Sequence, residues 1–123
     1  MSRRRVVITG LGIVCPVGNN VNDSWANIIN GVSGISLLEN LDTSMQTVKF
    51  GGAVKEFDVS QYLTPKEAKK MDIFIHYGMA AGIQAFEDSG IEVTDSNSER
   101  IGVAIGAGIG GLTTIEKTAD LFR

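Results

Sequence analysis

The stretch Ile101-Gly-Val-Ala-Ile-Gly-Ala-Gly-Ile-Gly-Gly-Leu112 places five glycines between a strand-like run and a helix-like run. Glycine is costly to order, so we expect the last four of them to stand where φ is positive or where a Cβ would not fit. These are Gly106, Gly108, Gly110 and Gly111. The stretch therefore predicts a loop that brings backbone close to a ligand or to another piece of backbone.

One interpretation of this loop is a nucleotide site. Gly106, Gly108 and Gly111 have the spacing G-x-G-x-x-G, and residues 112–122 would form the helix that follows it. The acidic residue expected about 20 positions later would lie beyond Arg123. Only the spacing supports this interpretation, so a nucleotide-binding oxidoreductase domain stays an alternative.

The composition is that of a soluble globular protein. Of the 123 residues, 43% are hydrophobic, 20% are charged and 15 are glycine, which fits one modest domain or part of one. The net charge of -3 gives no basic surface for nucleic acid, so we expect no nucleic-acid partner.

The cellular compartment is predicted from three features of the sequence. The apolar stretch Ile73 to Phe86, which carries no charged side chain, is 14 residues and too short to span a bilayer, so no membrane insertion is expected. The apolar run after the N-terminal arginines is broken by Thr9 and Gly10, which is not typical of a secretion signal. The single cysteine, Cys15, cannot form an internal disulfide. A cytoplasmic protein is the expectation.

Helices are predicted from local capping patterns. Asn20 or Asn22 can cap a helix that carries an apolar stripe through Trp25 and ends at Gly31, and we expect that stripe to face a core. The sequence Thr64-Pro-Lys-Glu67 is a capping box with proline at the first helical position. A further helix, apolar nearly all round, is predicted over Ile73–Asp88 and closed by Gly90.

Strands are predicted from runs of apolar residues. Residues 4–9 and 101–107 contain β-branched runs bounded by glycine, which favours strands buried on both faces. A short strand with a bulge is expected within 48–54, and residues 32–46 are interpreted as a long surface excursion. Strands that alternate with helices predict an α/β fold.

Few residues suggest chemistry on their own. Cys15 has apolar neighbours and is interpreted as a small packing residue, while His76 is interpreted as a hydrogen-bonded core or interface residue. No spacing suggests a metal site. The lysines at 66, 69 and 70 form either a site for an acidic partner or a solvated helix end.

Several separate motifs, in order along the whole chain, resemble the β-ketoacyl-acyl-carrier-protein synthases, and within them the elongating synthase II group. The motifs are Arg4-Arg-Val-Val-Ile-Thr-Gly-Leu-Gly12, Pro16-Val-Gly-Asn19, Gly34-Ile-Ser36, Lys69-Lys-Met-Asp72 and Gly106-Ala-Gly-Ile-Gly-Gly111. The resemblance implies a thiolase-like fold with α-β-α-β-α layers and a homodimer. It also implies that residues 1–123 are the first part of the N-terminal domain, with that domain incomplete.

The same resemblance implies the chemistry and its partners. Family members use a cysteine nucleophile and two histidines to condense malonyl-acyl carrier protein with an acyl thioester, without a cofactor. Those three residues are expected downstream of Arg123, so no catalytic residue is assigned here and the 123 residues alone are expected to be inactive. Ile109 is implied to line and gate the acyl pocket. Lys66, Lys69 and Lys70 are implied to meet acyl carrier protein. A truncated, inactive homologue that acts only as a binding or structural chain stays an alternative.

Overall fold

A computed structural model of the chain describes residues 3–39 and 41–123. Within these ranges it contains four α-helices and one antiparallel pair of two-residue strands, in which Ser36 pairs with Gly51. Short 3-10 turns cover Val59–Gln61 and Ser98–Arg100. The elements are α1 (Val21–Ile29), β1 (Ser36–Leu37), β2 (Phe50–Gly51), α2 (Pro65–Ala68), α3 (Ile73–Ser89) and α4 (Leu112–Leu121).

The helix ends are set by the local sequence. The backbone N–H of Asp23 donates to Asn20 Oδ1 at 2.9 Å, which caps α1. The capping box of α2 is complete, because Thr64 N–H donates to Glu67 Oε2 at 3.0 Å and Glu67 N–H donates to Thr64 Oγ1 at 3.4 Å. Gly90, with φ of 62°, ends α3 in the left-handed conformation. These three predicted helix ends are confirmed, as is the end of α1, where Gly31 has φ of 67°.

Helix α3 is crossed by two extended segments at its small residues. A Cβ on Gly12 would overlap the carbonyl oxygen of Ala81, and a Cβ on Gly10 would overlap that of Ala85. From the other segment, Ile105 lies against Gly82, 3.6 Å from where a Cβ would stand. Glycine is therefore needed at Gly10 and Gly12, because the backbone of their segment approaches the backbone of α3 so closely.

One side chain of α3 ties three segments together. Gln84 Oε1 accepts from the backbone N–H of Ile13 at 3.2 Å, and Gln84 Nε2 donates to the carbonyl of Asn19 at 2.8 Å. The same amide nitrogen donates to the Tyr62 hydroxyl at 2.8 Å. An amide is suited to this position because it offers an acceptor and two donors at once.

The most buried part of the described chain is small. Leu63 and Ala80 are the buried apolar residues within the described ranges, and Ser24 is buried beside Gly18. Next to Leu63 in sequence, the ring of Tyr62 stacks on Phe57, and Phe57 meets Tyr77 edge-to-face with ring centroids 5.0 Å apart. Burial raises the pKa of Tyr77. Within the described ranges, no helix has the length and apolar character to cross a membrane.

The two buried strands predicted at 4–9 and 101–107 are corrected by the structure. Neither run is a strand, and apart from the 3-10 turn that leads into Ile101, no backbone hydrogen bond joins either run to another described segment. Ile8 is 83% exposed and Val103 is 84% exposed. A strand forms only where a neighbour supplies the other half of the ladder, and no described segment does so here.

Two further expectations are corrected. The apolar stripe of α1 does not face a core, since Trp25 is 61% exposed. The stretch 32–46 is not entirely irregular, because it contains β1, which pairs with β2 inside the predicted 48–54 strand. The pair is short, so the strand prediction is confirmed only at residues 50–51.

Candidate functional site

The glycine loop, defined as residues 106–111, is held at one end and open at the other. Gly110 has φ of 83°, and its missing Cβ would stand 3.3 Å from Cζ of Phe74. A Cβ on Gly111 would overlap the carboxylate of Asp72. The expectation of a special conformation or close approach is confirmed at these two positions. The expectation is wrong at Gly106 and Gly108. At these two positions φ is not positive, and no described atom lies within 4 Å of where a Cβ would stand.

Helix α4 begins directly after this loop, with Gly111 as its N-cap and no side-chain cap. The Asp72 carboxylate lies against Gly111 and so brings a negative charge to the start of α4, where the helix dipole favours it. A dinucleotide fold would place its pyrophosphate at this helix start. The geometry therefore argues against the nucleotide interpretation of the loop.

Ile109 stands between the open and the held parts of the loop. Its side chain is 76% exposed, so it does not fill a core between the loop and α4 within the described chain. Glycines precede and follow it. The position leaves a branched apolar side chain free to contact a hydrocarbon ligand.

The lysine turn, defined as Lys66, Lys69 and Lys70, lies at the end of α2. All three side chains are exposed. Within residues 3–39 and 41–123 the one ion pair joins Arg123 to Asp120, so no described carboxylate pairs with the lysine turn. The neighbouring Glu67 is engaged instead by Thr64, whose hydroxyl and backbone N–H hydrogen bonds hold the pKa of that carboxyl below its ordinary value.

A side chain of α3 links this helix to the end of α2, next to the lysine turn. His76 Nε2 donates to the carbonyl of Ala68 at 3.0 Å, which joins α3 to the end of α2. The hydrogen bond predicted for His76 is confirmed, and the side chain is half-buried rather than enclosed in a core. In the described part of the chain, no group of three or more histidine, cysteine, aspartate or glutamate side chains is placed to hold a metal ion.

Cys15 lies away from the glycine loop, in a tight turn closed by Cys15 N–H donating to the Gly18 carbonyl at 2.9 Å. Its Sγ is 3.5 Å from Ser24 Oγ. Burial acts to raise the pKa of the Cys15 thiol, but hydrogen bonds from Ser24, Val17 and Gly18 outweigh it and lower the pKa. The thiol borders a cavity of about 400 Å³ whose described lining includes Lys55 but no histidine. The same lining includes the carboxylates of Asp23 and Glu56, and the interpretation of Cys15 as a packing residue stays a prediction.

An apolar groove follows α3 on the side of Ile105. It consists of two adjoining cavities of about 510 Å³ and 500 Å³. Gly78, Met79 and Ile105 line both, and the first continues to Gly106 at the start of the glycine loop. The groove can take hydrocarbon or apolar side chains, and it holds few polar groups that would orient a polar ligand.

Sequence reasoning did not single out three residues that organise this region. Asp72 and Phe74 hold the loop, and Gln84 ties the N-terminal segment to α3. Asp72 does fall within the motif that ends at residue 72, but its contact with Gly111 joins positions far apart in sequence. Periodicity and capping patterns report only local neighbours.

Comparison with known families assigns the chain to a class of protein. The profile of the family described as "Beta-ketoacyl synthase, N-terminal domain" matches residues 3–121. The chain therefore belongs to this family, and its fold is thiolase-like. Family membership assigns the glycine loop to a ketosynthase rather than to a dinucleotide-binding domain.

Two relatives and one solved structure show which members of the family the chain is similar to. The chain is 58% identical to a 3-oxoacyl-[acyl-carrier-protein] synthase 2 of Vibrio cholerae over 94% of its own length and 28% of the relative's. It is 44% identical to the synthase 2 of Coxiella burnetii over 98% of its own length and 29% of the relative's. Among solved structures it is similar to "The ishigamide ketosynthase/chain length factor", with a TM-score of 0.67, 27% identity, and 74% and 23% of the two chains covered. The chain thus spans less than a third of the length of these relatives.

Proposed function

We propose that the protein to which these residues belong is a condensing enzyme of fatty acid biosynthesis, of the 3-oxoacyl-acyl-carrier-protein synthase 2 group. The observation that carries the proposal is 58% identity to a named synthase 2 across 94% of this chain. The match is spread along the whole chain rather than confined to the glycine loop, which makes it specific.

The proposed reaction is a decarboxylative Claisen condensation. A cysteine thiolate takes the acyl group from acyl carrier protein and releases the carrier thiol. Malonyl-acyl carrier protein then loses carbon dioxide, and the resulting carbanion attacks the carbonyl of the acyl-enzyme thioester. The carbon–sulfur bond breaks, which frees the cysteine thiolate and gives a β-ketoacyl-acyl carrier protein two carbons longer. We place the nucleophilic cysteine and the two assisting histidines outside residues 1–123, and the reaction needs no cofactor.

Within this chain we assign substrate contacts rather than bond-making groups. Ile109 is proposed to line the acyl pocket, a role supported by its 76% exposure on a loop that is open at Gly106 and Gly108. The lysine turn is proposed to contact the acidic carrier protein, a role supported by three exposed ammonium groups with no described carboxylate partner.

The proposal extends to architecture. We propose that residues 1–123 form the first part of the N-terminal domain, that α3 is a central helix of an α-β-α-β-α layered fold, and that the enzyme is a cytoplasmic homodimer. The layered fold is supported by the extended segments that cross α3 at Gly12 and Gly82 and by the apolar groove beside it. A helix with apolar surface on more than one side needs layers to cover it.

The experiment that tests the function is a condensation assay on the full-length enzyme. Purified enzyme is incubated with acyl-acyl carrier protein and malonyl-acyl carrier protein, and the carrier-bound products are weighed by mass spectrometry. We expect a β-ketoacyl product two carbons longer than the primer. Unchanged primer, with malonyl carrier protein intact, would contradict the proposal.

A further inference from the structure

The inference concerns the held end of the glycine loop. Gly110 and Gly111 rest on two side chains, Phe74 and Asp72, which we call the loop seat. The ring of Phe74 lies beneath Gly110, with ring carbons 3.3 to 3.7 Å from the position of the missing Cβ. The carboxylate of Asp72 fills the space that a Cβ on Gly111 would need. These two close contacts join the start of α3 to the start of α4, although the two helix starts are far apart in sequence.

The backbone and the side chain of Asp72 serve different helices. Its carbonyl accepts from the N–H of Ile75 at 2.9 Å and so begins α3. Its side chain makes no capping hydrogen bond to α3 and turns instead onto Gly111, at the uncapped start of α4. Asp72 therefore contacts both helices, α3 through its backbone and α4 through its side chain. These two contacts fix the position of one helix start relative to the other.

The other end of the loop has no such support. Nothing described lies within 4 Å of where a Cβ would stand on Gly106 or Gly108. Ile109 is bonded directly to Gly110, so the place of its side chain is set from the held end. Moving Gly110 by a fraction of an ångström moves Ile109 with it.

We propose that Asp72 and Phe74 are positioning residues that fix the glycine loop and thereby decide which acyl chain lengths pass Ile109. The proposal rests on the proposed function, because it takes the surface at Ile109 as the acyl pocket. Neither residue touches the reacting atoms. Both act by holding the loop in one position.

The test is a double-mutant cycle in the full-length enzyme. Gly111→Ala adds a methyl group where the Asp72 carboxylate stands, so it should lower the melting temperature and reduce acylation by long primers about tenfold more than by short ones. Adding Asp72→Ala empties that space, and the double variant should recover the length profile of Asp72→Ala alone to within about twofold. Asp72→Asn keeps the shape of the side chain, so it should give no rescue. Gly102→Ala, at a glycine with open space around it, serves as the control for adding a methyl group.

Phe74, the other residue of the loop seat, is tested in the same acylation assay with long and short primers. Phe74→Ala should change the ratio of kcat/KM for long and short primers, while Phe74→Tyr, which keeps the ring, should restore it. Additive effects of Gly111→Ala and Asp72→Ala would overturn the proposal, as would an equal loss of activity with every primer. Absence of condensation by the wild-type enzyme would instead overturn the proposed function, and the coupling of the melting temperatures would still decide whether Asp72 and Gly111 are in contact.

Discussion

The replacement Ile109→Phe distinguishes an acyl-pocket residue from a packing residue. The ring is larger than the branched side chain that it replaces, and it stands where we propose that an acyl chain passes. An obstructed hydrocarbon site commonly discriminates by about tenfold or more for each methylene that no longer fits. We therefore expect long primers to lose at least about tenfold in acylation rate relative to the shortest primer.

The expected change in stability of the Ile109→Phe variant follows from the exposure of the Ile109 side chain. Ile109 is 76% exposed in the described chain, and a substitution on an exposed site usually changes the free energy of unfolding by less than about 0.5 kcal/mol. Overpacking a core typically costs about 1 to 3 kcal/mol. The melting temperature of the full-length variant should accordingly fall by no more than about 2 °C, because about 1 kcal/mol shifts the melting temperature of a large domain by a few degrees.

The assay measures acylation rates over a series of saturated primers, together with the melting temperature of the same preparation. Ile109→Leu is the matched control, since it keeps the volume of the side chain and should keep the length profile. An unchanged length profile with a clearly lowered melting temperature would refute the reasoning, because it would show that Ile109 packs a core.

The other predictions concern the carrier surface, the buried network and the thiol. Reversing all three charges of the lysine turn to glutamate should raise KM for acyl carrier protein about tenfold at low salt and much less at high salt, while rates with a small carrier-free thioester stay unchanged. A matched control reverses three exposed cations elsewhere: Lys49, Arg100 and Lys117. Gln84→Leu should cost about 2 to 3 kcal/mol in the free energy of unfolding measured with urea, because it leaves partly buried groups unpaired; Gln84→Glu, which keeps the acceptor for Ile13 N–H, should cost less. The lowered pKa of Cys15 should place its alkylation midpoint below that of a free thiol, and Ser24→Ala should move that midpoint to higher pH; a midpoint that does not respond would remove Ser24 as the cause. A polypeptide of residues 1–123 alone should self-associate on gel filtration because apolar side chains such as Ile8 and Val103 are exposed, and a monodisperse monomer would contradict this.

The helices of this chain could be predicted from the sequence because their signals are local. The Asn20 cap, the box at Thr64 and the left-handed Gly90 each act within a few residues, and the structure confirms them. The strands could not be predicted in the same way. The runs at 4–9 and 101–107 have the right residue types, but a strand also requires a partner, and none of the described segments supplies one.

The candidate site was predicted in part. The glycine-rich sequence correctly indicated a loop with close contacts, and the resemblance correctly indicated the family. Which glycines are constrained could not be read from their spacing, because the answer depends on Asp72 and Phe74, more than thirty residues earlier in the chain. The roles of Ile109 and the lysine turn stay predictions.

The most direct test of the central claim is to locate the acyl group on the full-length enzyme after reaction with acyl-acyl carrier protein alone. Peptide mapping by mass spectrometry identifies the modified residue. We predict one acyl group per chain, on a cysteine outside residues 1–123, and its loss when malonyl-acyl carrier protein is added. Acylation of Cys15, or no acyl-enzyme at all, would contradict the account.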